Sequence, residues 1–299
     1  MDLPVTTTML MLRDIKVLHL EPTDVCQAAC PLCLREIDPD FVKTHQHHLT
    51  VSHVQQRYSE EFIKNLNKMF MCGIYGDPAA GRYSLDLYWY FRKINPTIVL
   101  GMNSNGGLQN TLWWHELGRI MNQSQDYVVF SIDGNEDTNH LYRVNVSWTK
   151  LKNNIEAFVS AGGRAQWDML VYRHNQHQVD ECEQLARDMG FKWFRAKVSR
   201  RSFTNTLQKP TDWQPVVVST GDIKCHAIDE QSEYMDTQGR IAPCCWLGGT
   251  QNKFVENFDD VQKSWNTSDP NPVCKKTCTS NNNQSSFTNQ WQREVNLEI

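Results

Sequence analysis

The sequence lacks three features, and each absence narrows what it can do. No apolar run approaches the roughly 20 residues that cross a bilayer, so no membrane-spanning helix is expected. There is no basic excess: the 299 residues carry a formal net charge of -4, which gives no reason to expect nucleic acid as a partner. The opening Met1-Asp-Leu-Pro-Val-Thr-Thr-Thr-Met-Leu has neither the basic nor the long apolar region of a secretory signal. The expectation is a soluble, cytoplasmic protein with no membrane partner. With 40% hydrophobic and 21% charged residues, the composition is globular and the length suits one large or two ordinary domains.

What the chain does have is cysteine, ten residues unevenly placed. In a reducing compartment such thiols are metal ligands or packed groups rather than disulfides. Three of them, Cys26, Cys30 and Cys33, fall within eight residues, just after the apolar run Ile15 to Leu20. Thiolates on one loop can all turn toward a single point, and as soft anions they suit a metal centre. Three local ligands leave one position open, as in an iron-sulfur cubane whose fourth iron binds a small molecule. A structural zinc site wants a fourth ligand; Glu21 and Asp24 are near, but carboxylates rarely complete such a site, so the open cluster is the preferred reading. Cys72, in an apolar stretch, and Cys182, on an expected helix, read as small packed hydrophobes.

Along the chain, residues 36 to 57 are polar and contain His45, His47, His48 and His53 without regular ligand spacing. They read as a solvated loop, with a cover over substrate as the alternative. Ser59 can cap a helix bearing Phe62, Leu66, Met69 and Phe70, followed by a strand from Met71 to Tyr75 and a turn at Gly76-Asp77-Pro78. The carboxylate of that turn could take an ammonium group. Helices are expected over 84 to 94, 111 to 121, 148 to 161 and 178 to 189, and strands over 97 to 102, 127 to 132, 165 to 172 and 191 to 198. Six strands separated by helices run parallel with right-handed crossovers, so the first two thirds is an α/β unit with its active loops at strand C-termini.

The spacing Cys26-x3-Cys30-x2-Cys33 after a strand resembles the cluster motif of radical S-adenosylmethionine (SAM) enzymes. The resemblance spans about residues 12 to 200 and implies a partial (β/α)6 TIM-type barrel. Gly76-Asp77-Pro78 resembles that family's Gly-Gly-Glu-Pro element, which meets the SAM amino group; here Tyr75 stands for the first glycine and the acid is the shorter Asp. Ser131-Ile-Asp133-Gly134, with Arg143 following, is similar to the fourth-strand region that holds the SAM ribose and carboxylate. Asn103 to Gly106 is similar to the end of the family's third strand, and Tyr172-Arg-His-Asn175 to the end of its fifth. The implied cofactors are SAM and a [4Fe-4S] cluster, with an external reductant such as flavodoxin or ferredoxin.

Residues 199 to 221 lose periodicity, and 201 to 221 read as a linker to a C-terminal unit over 222 to 299. Tyr234 to Ala242 reads as a hairpin turning at Gln238-Gly239, between Cys225 and Cys244. With Cys274-x3-Cys278 these make four thiols and a closed centre, either zinc or a cubane. The order Cys225-x13-Gly239-x4-Cys244 and a later pair resembles the twitch or shortened SPASM extension of radical SAM enzymes. That resemblance implies an auxiliary [4Fe-4S] cluster on Cys225, Cys244, Cys274 and Cys278, with Cys245 spare. His226, next to a ligand, is discounted.

The implied reaction is reductive cleavage of SAM and hydrogen abstraction from a substrate, which is either a small alcohol or sugar or a ribosomally made peptide. The other readings are a zinc-stabilised binding protein and an iron-sulfur electron carrier. Arg195, Lys197, Arg200 and Arg201 read as a solvated basic edge in preference to an anion site.

Overall fold

The computed structural model describes residues 14–38, 41, 46–199, 203–211, 222–249, 258–279 and 291–298. The chain begins with β1 (Val17–Leu20), α1 (Leu34–Ile37), α2 (Val51–Arg57), α3 (Glu60–Lys64) and β2 (Lys68–Met71). Alternation follows through α4 (Ser84–Ile94), β3 (Val99–Ser104), α5 (Thr111–Ile120), β4 (Tyr127–Ser131), α6 (Asn139–Tyr142), α7 (Trp148–Ser160), β5 (Ala165–Val171), α8 (Val179–Asp188) and β6 (Trp193–Val198). The C-terminal part holds α9 (His226–Asp229), β7 (Ser232–Met235), β8 (Ile241–Ala242), α10 (Cys245–Gly248), α11 (Phe258–Ser264), α12 (Pro272–Thr277) and β9 (Trp291–Asn296). Among the described residues no helix is long and apolar enough to cross a membrane.

Among the described residues the nine strands share one sheet, in the order β8-β7-β1-β2-β3-β4-β5-β6-β9. β1 to β6 run parallel to one another, with Leu20 opposite Met71, Met71 opposite Met102, and Ser131 opposite Asp168. This is the α/β alternation expected from the sequence. The expected hairpin forms as β7 and β8, pairing Tyr234 with Ala242 and Met235 with Ile241, and Gly239 has the positive φ of 78° that its turn needs. β7 then lies parallel against β1, while β9 pairs antiparallel with β6 at the far edge. The C-terminal segment thus extends the sheet at both ends.

The two faces of the sheet differ. In β5 the residues Ala165, Trp167, Met169 and Val171 are buried against helices, while Gln166, Asp168 and Leu170 on the other face stay half-buried. Cys72, just past β2, lies in the field of both Lys197 on β6 and Asp168 on β5. In the core, Trp114 is fully buried against Phe130 and Phe158, with ring centroids 5.2 and 6.3 Å away, and its indole donates to Leu108 O.

Three sequence expectations change. The polar stretch 36 to 57 is no simple solvated loop, since it contains α1 and α2 with Leu49 and Val54 buried. Thr50 and His53 form a capping box that starts α2, so these polar residues begin a helix rather than solvate a loop. His48 bridges Thr23, and His45 lies outside the described residues. The second strand covers 68–71 rather than 71–75, because α3 stops at Lys64 and Met69 and Phe70 belong to β2. Arg195 is not on a solvated edge: it is half-buried, donating to Asp168 at 2.9 Å and Gln166 at 3.1 Å. Arg200 and Arg201 lie outside the described residues.

Replacing Trp114 by Ala removes the centre of this packing. The expected loss is roughly 3–5 kcal/mol, read as a lower urea midpoint with an unchanged slope; an unchanged midpoint would contradict this account of the core.

Candidate functional site

The loop that leaves β1 carries Cys26, Cys30 and Cys33, and the turn that leaves β2 lies against it. A Cβ placed on Gly76 would stand 1.9 Å from Thr23 O, and Asp77 N donates to Val25 O at 2.9 Å. Only glycine allows that approach. Gly73 is pressed in the same way, its Cβ position 2.0 Å from Gly76 O. Cys30 is buried, while Cys26 and Cys33 are half-buried. Cys26 lies in the electrostatic field of Cys30 and Cys33, and Cys30 in that of Cys33.

Two of the sulfurs meet N–H donors. Arg143 Nη1 donates to Cys30 Sγ at 3.8 Å, and Asn105 Nδ2 to Cys26 Sγ at 3.6 Å. Burial pushes the Cys26 thiol up to about 12, with the Asp77 charge adding, and burial raises Cys30 against the opposing Arg143 charge. Among the described residues no group of three or more His, Cys, Asp or Glu side chains stands in a metal-holding arrangement. The donor set itself suits a thiolate cluster: three sulfurs on one loop, two of them met by N–H groups that favour negative charge on sulfur.

Asp77 sits at the centre of this region but has no spare acceptor facing out. Its Oδ1 accepts from Ala79 N at 2.9 Å and Ser104 Oγ at 2.8 Å, and its Oδ2 accepts from the backbone and side-chain nitrogens of Asn105, both at 2.7 Å. Asp77 is 6% exposed. Its carboxylate therefore ties the end of β2 to the end of β3 instead of presenting itself to an ammonium group. Pro78 starts the short 3-10 turn that Asp77 caps.

Asn105, not Asn103, is the third-strand residue drawn into the site. Asn103 stands on β3 in register with Val129, whereas buried Asn105 links Asp77, Cys26 and Gln27, whose Nε2 donates to Asn105 Oδ1 at 2.7 Å. Sequence reasoning singled out Asn103 at this strand end; the side chain that meets Asp77 and Cys26 is that of Asn105.

Asp133 and Arg143 do meet. Arg143 Nε lies 2.7 Å from Asp133 Oδ2, and the guanidinium covers the Tyr142 ring at 5.2 Å. Asp133 is fully buried, accepts from Leu170 N at 2.5 Å, and is pushed up by burial against the pull of Arg143. Asn175 is also fully buried, but its side chain serves the fold: it donates to Asp133 O and Leu170 O and accepts from Tyr172 N. Ser131 is half-buried at the end of β4. Residues 203–211, part of the expected linker, return to this end of β5, where Gln208 O accepts from Arg173 N at 2.9 Å and Leu207 is buried.

Sequence reasoning weighed Glu21 only as a zinc ligand and missed what it does. It is 2% exposed at the end of β1. Its Oε1 accepts from Ile74 N at 2.8 Å and Tyr75 N at 2.9 Å, and Tyr234 Oη donates to its Oε2. An acid directly after an apolar strand was the available signal, because a carboxylate there must find donors.

The four C-terminal cysteines lie within reach of one another's charges, without forming, among the described residues, a metal-holding arrangement. Cys225 caps α9, Cys244 caps α10, Cys274 lies in α12 and Cys278 ends it. Lys224 N donates to Cys278 O at 2.7 Å, and Ile223 bridges Thr279. Cys244 and Cys278 act on the Cys225 and Cys274 thiols, and burial is the chief cause that raises Cys225, Cys244 and Cys274. Cys274 packs with Leu247 and Val261 in a small second core. Cys245, by contrast, faces Cys72 and Glu21 as well as Cys244.

No family profile matches the chain, and no curated protein matches it by sequence. Solved structures share its fold. Streptococcus suis SuiB bound to S-adenosylmethionine matches with TM-score 0.57 at 12% identity, over 85% of this chain and 66% of that one. SuiB bound to precursor peptide SuiA matches with TM-score 0.56 at 13% identity, over 87% and 65%. Native anSMEcpe with bound AdoMet gives 0.54 at 14% identity, over 76% and 74%. The chain spans just under two thirds of SuiB. At these identities the likeness is one of fold.

Burial pushes Glu21 from the ordinary 4.5 up to about 7. An acid raised on folding binds its proton more tightly in the folded state, so the stability it contributes is complete below about 4.5 and lost as pH rises through about 7. The change is roughly 3 kcal/mol at most. Urea titrations at pH 5 and 7 should show a smaller drop for Glu21→Gln than for the native chain; equal drops would contradict the assignment.

Proposed function

We propose that the chain is a radical SAM enzyme that acts on a peptide. The reading is carried by one observation: the cysteine loop, the glycine-tight turn after β2 and the Asp133–Arg143 pair lie together in a fold shared with SAM-bound proteins. Cys26, Cys30 and Cys33 would hold a [4Fe-4S] cluster whose remaining iron takes SAM. When bound, that cluster supplies the electron that cleaves SAM to a 5′-deoxyadenosyl radical, which removes a hydrogen atom from substrate. Parallel strands β1 to β6, in sequence order across the sheet, support the partial (β/α)6 barrel over residues 12–200.

The chain's own residues shape and shield this seat. Gly76 and Gly73 let the turn lie flat on the cysteine loop, and Asp77 and Asn105 fix its distance from β3. Asp133 holds Arg143 beside Cys30 and keeps its cation buried, which leaves other guanidinium N–H groups for the SAM carboxylate. Ser131 and Asn103 would line the rest of the seat. Asn175 would act indirectly, by holding Asp133's strand end.

Cys225, Cys244, Cys274 and Cys278 would hold an auxiliary [4Fe-4S] cluster that accepts the substrate's electron or relays one, in a twitch-like unit over 222–299. Cys244 and Cys274 share one small core, and the charges of Cys244 and Cys278 reach Cys225 and Cys274, which supports one site over a pair of unrelated ones. A peptide is favoured over a small alcohol or sugar because a fold neighbour is solved with a precursor peptide. Flavodoxin or ferredoxin would provide the electron from outside.

After anaerobic reconstitution the chain should bind about eight irons, and reduction in the presence of SAM should give 5′-deoxyadenosine. Cys26→Ala, Cys30→Ala or Cys33→Ala should abolish that product. Cys274→Ala with Cys278→Ala should halve the iron and spare SAM cleavage. An intact first cluster that yields no 5′-deoxyadenosine would sink the proposal.

A further inference from the structure

We propose that Glu21 and Tyr75 are positioning residues that join the Gly73 to Asp77 turn to the C-terminal cysteine segment, so that order in that segment sets the shape of the turn. The importance of the turn rests on its reading as part of the SAM seat; the link itself is independent of that reading.

Three contacts make the link. Glu21 holds the turn with one carboxylate oxygen, through Ile74 N and Tyr75 N, and holds β7 with the other, through the Tyr234 hydroxyl. Tyr75 Oη stands 2.8 Å from Asp38 Oδ2 and 2.9 Å from Gly249 O, so its proton serves both the end of α1 and the end of α10. Its ring is fixed by stacking on Phe41, with centroids 4.5 Å apart and planes 3° from parallel. Finally, Ile74 packs on Gly249 so closely that a Cβ there would come within 2.1 Å of Ile74 Cδ1.

α10 begins directly after Cys244, so Gly249 and Cys244 are the two ends of one short helix. Any movement of Cys244 therefore reaches the carbonyl that Tyr75 meets and the backbone that Ile74 touches. The motif that the turn resembles has glycine at position 75, and glycine has no hydroxyl. The link through Tyr75 is thus a property of this chain. Because the Glu21 carboxylate is almost wholly enclosed, water does not replace a lost donor easily, and each hydrogen bond in the link counts.

The test is hydrogen exchange at the Ile74 and Tyr75 amides in the purified full chain. Tyr75→Phe keeps the stacked ring and removes only the hydroxyl; Tyr234→Phe does the same on β7. Each is expected to speed exchange at these amides roughly 2- to 10-fold while exchange in β4 stays constant. Cys244→Ser with Cys278→Ser should speed it similarly in the native background and add little once both hydroxyls are gone, a non-additivity that local damage does not produce. Gly249→Ala, which presses a methyl on Ile74, should also speed it. SAM affinity of the reconstituted chain is measured beside these. Exchange that responds as stated supports the link even where SAM fails to bind, which would overturn only the functional reading. Exchange unmoved by the hydroxyl deletions, or cysteine effects that simply add to them, would overturn the link whether or not SAM binds.

Discussion

The structure depends on buried carboxylates that collect backbone N–H groups where strands end. A parallel sheet leaves such groups at each strand terminus, and a buried charge without donors is costly. This chain sets the two problems against each other. Glu21 takes two amides of the turn after β2, Asp77 takes those of Ala79 and Asn105, and Asp133 takes that of Leu170. At the opposite end of the sheet Asp126 does the same for Leu100 and Gln123. The loops of the candidate site hold their shape because these acids are satisfied by the backbone.

That arrangement separates residues that look alike in sequence. Asp77 and Asp133 both follow a strand, and both are raised by burial. Asp77 is closed by four donors from neighbouring backbone and side chains, which makes it a brace. Asp133 has a mobile type of partner in Arg143, whose guanidinium reaches on to a cysteine sulfur, so it holds a charge beside the cysteine loop. The distinction lies in who the donors are, and donors come from other strands.

The local part of the fold was legible in the sequence. Apolar spacing marks α4, α5, α7 and α8 to within a residue or two, because each has one face on the core and a clear stop such as Gly162 or Gly190 with positive φ. The hairpin at Gly239 was legible for the same reason. Elements stabilised by distant partners were not. α2 has only Val54 buried, too little for a periodic signal, and is recognisable instead by its Thr50–His53 cap. β2 is four residues long, and two apolar residues at its centre mimic the end of α3. Pairing of β7 with β1, and of β9 with β6, leaves no trace in local pattern at all. In the site, the cysteine triplet announced itself by spacing, whereas Asn105 and Glu21 matter through contacts 28 to 213 residues apart in sequence.

The strand order explains why these distant contacts gather in one place. β1 lies between β2 and β7, so the loop bearing Cys26 to Cys33 has the glycine-tight turn on one side and the C-terminal hairpin on the other. Glu21 is the first residue past the shared strand and reaches both neighbours. The hairpin leads to Cys244, and α10 carries the chain back to Gly249 against Ile74 and Tyr75. The segments that bear the two groups of cysteines therefore both touch the stretch from Ile74 to Gly76, one through Thr23 and the other through Gly249. A sheet that placed β7 beside any strand other than β1 would keep both cysteine groups and lose the connection between them.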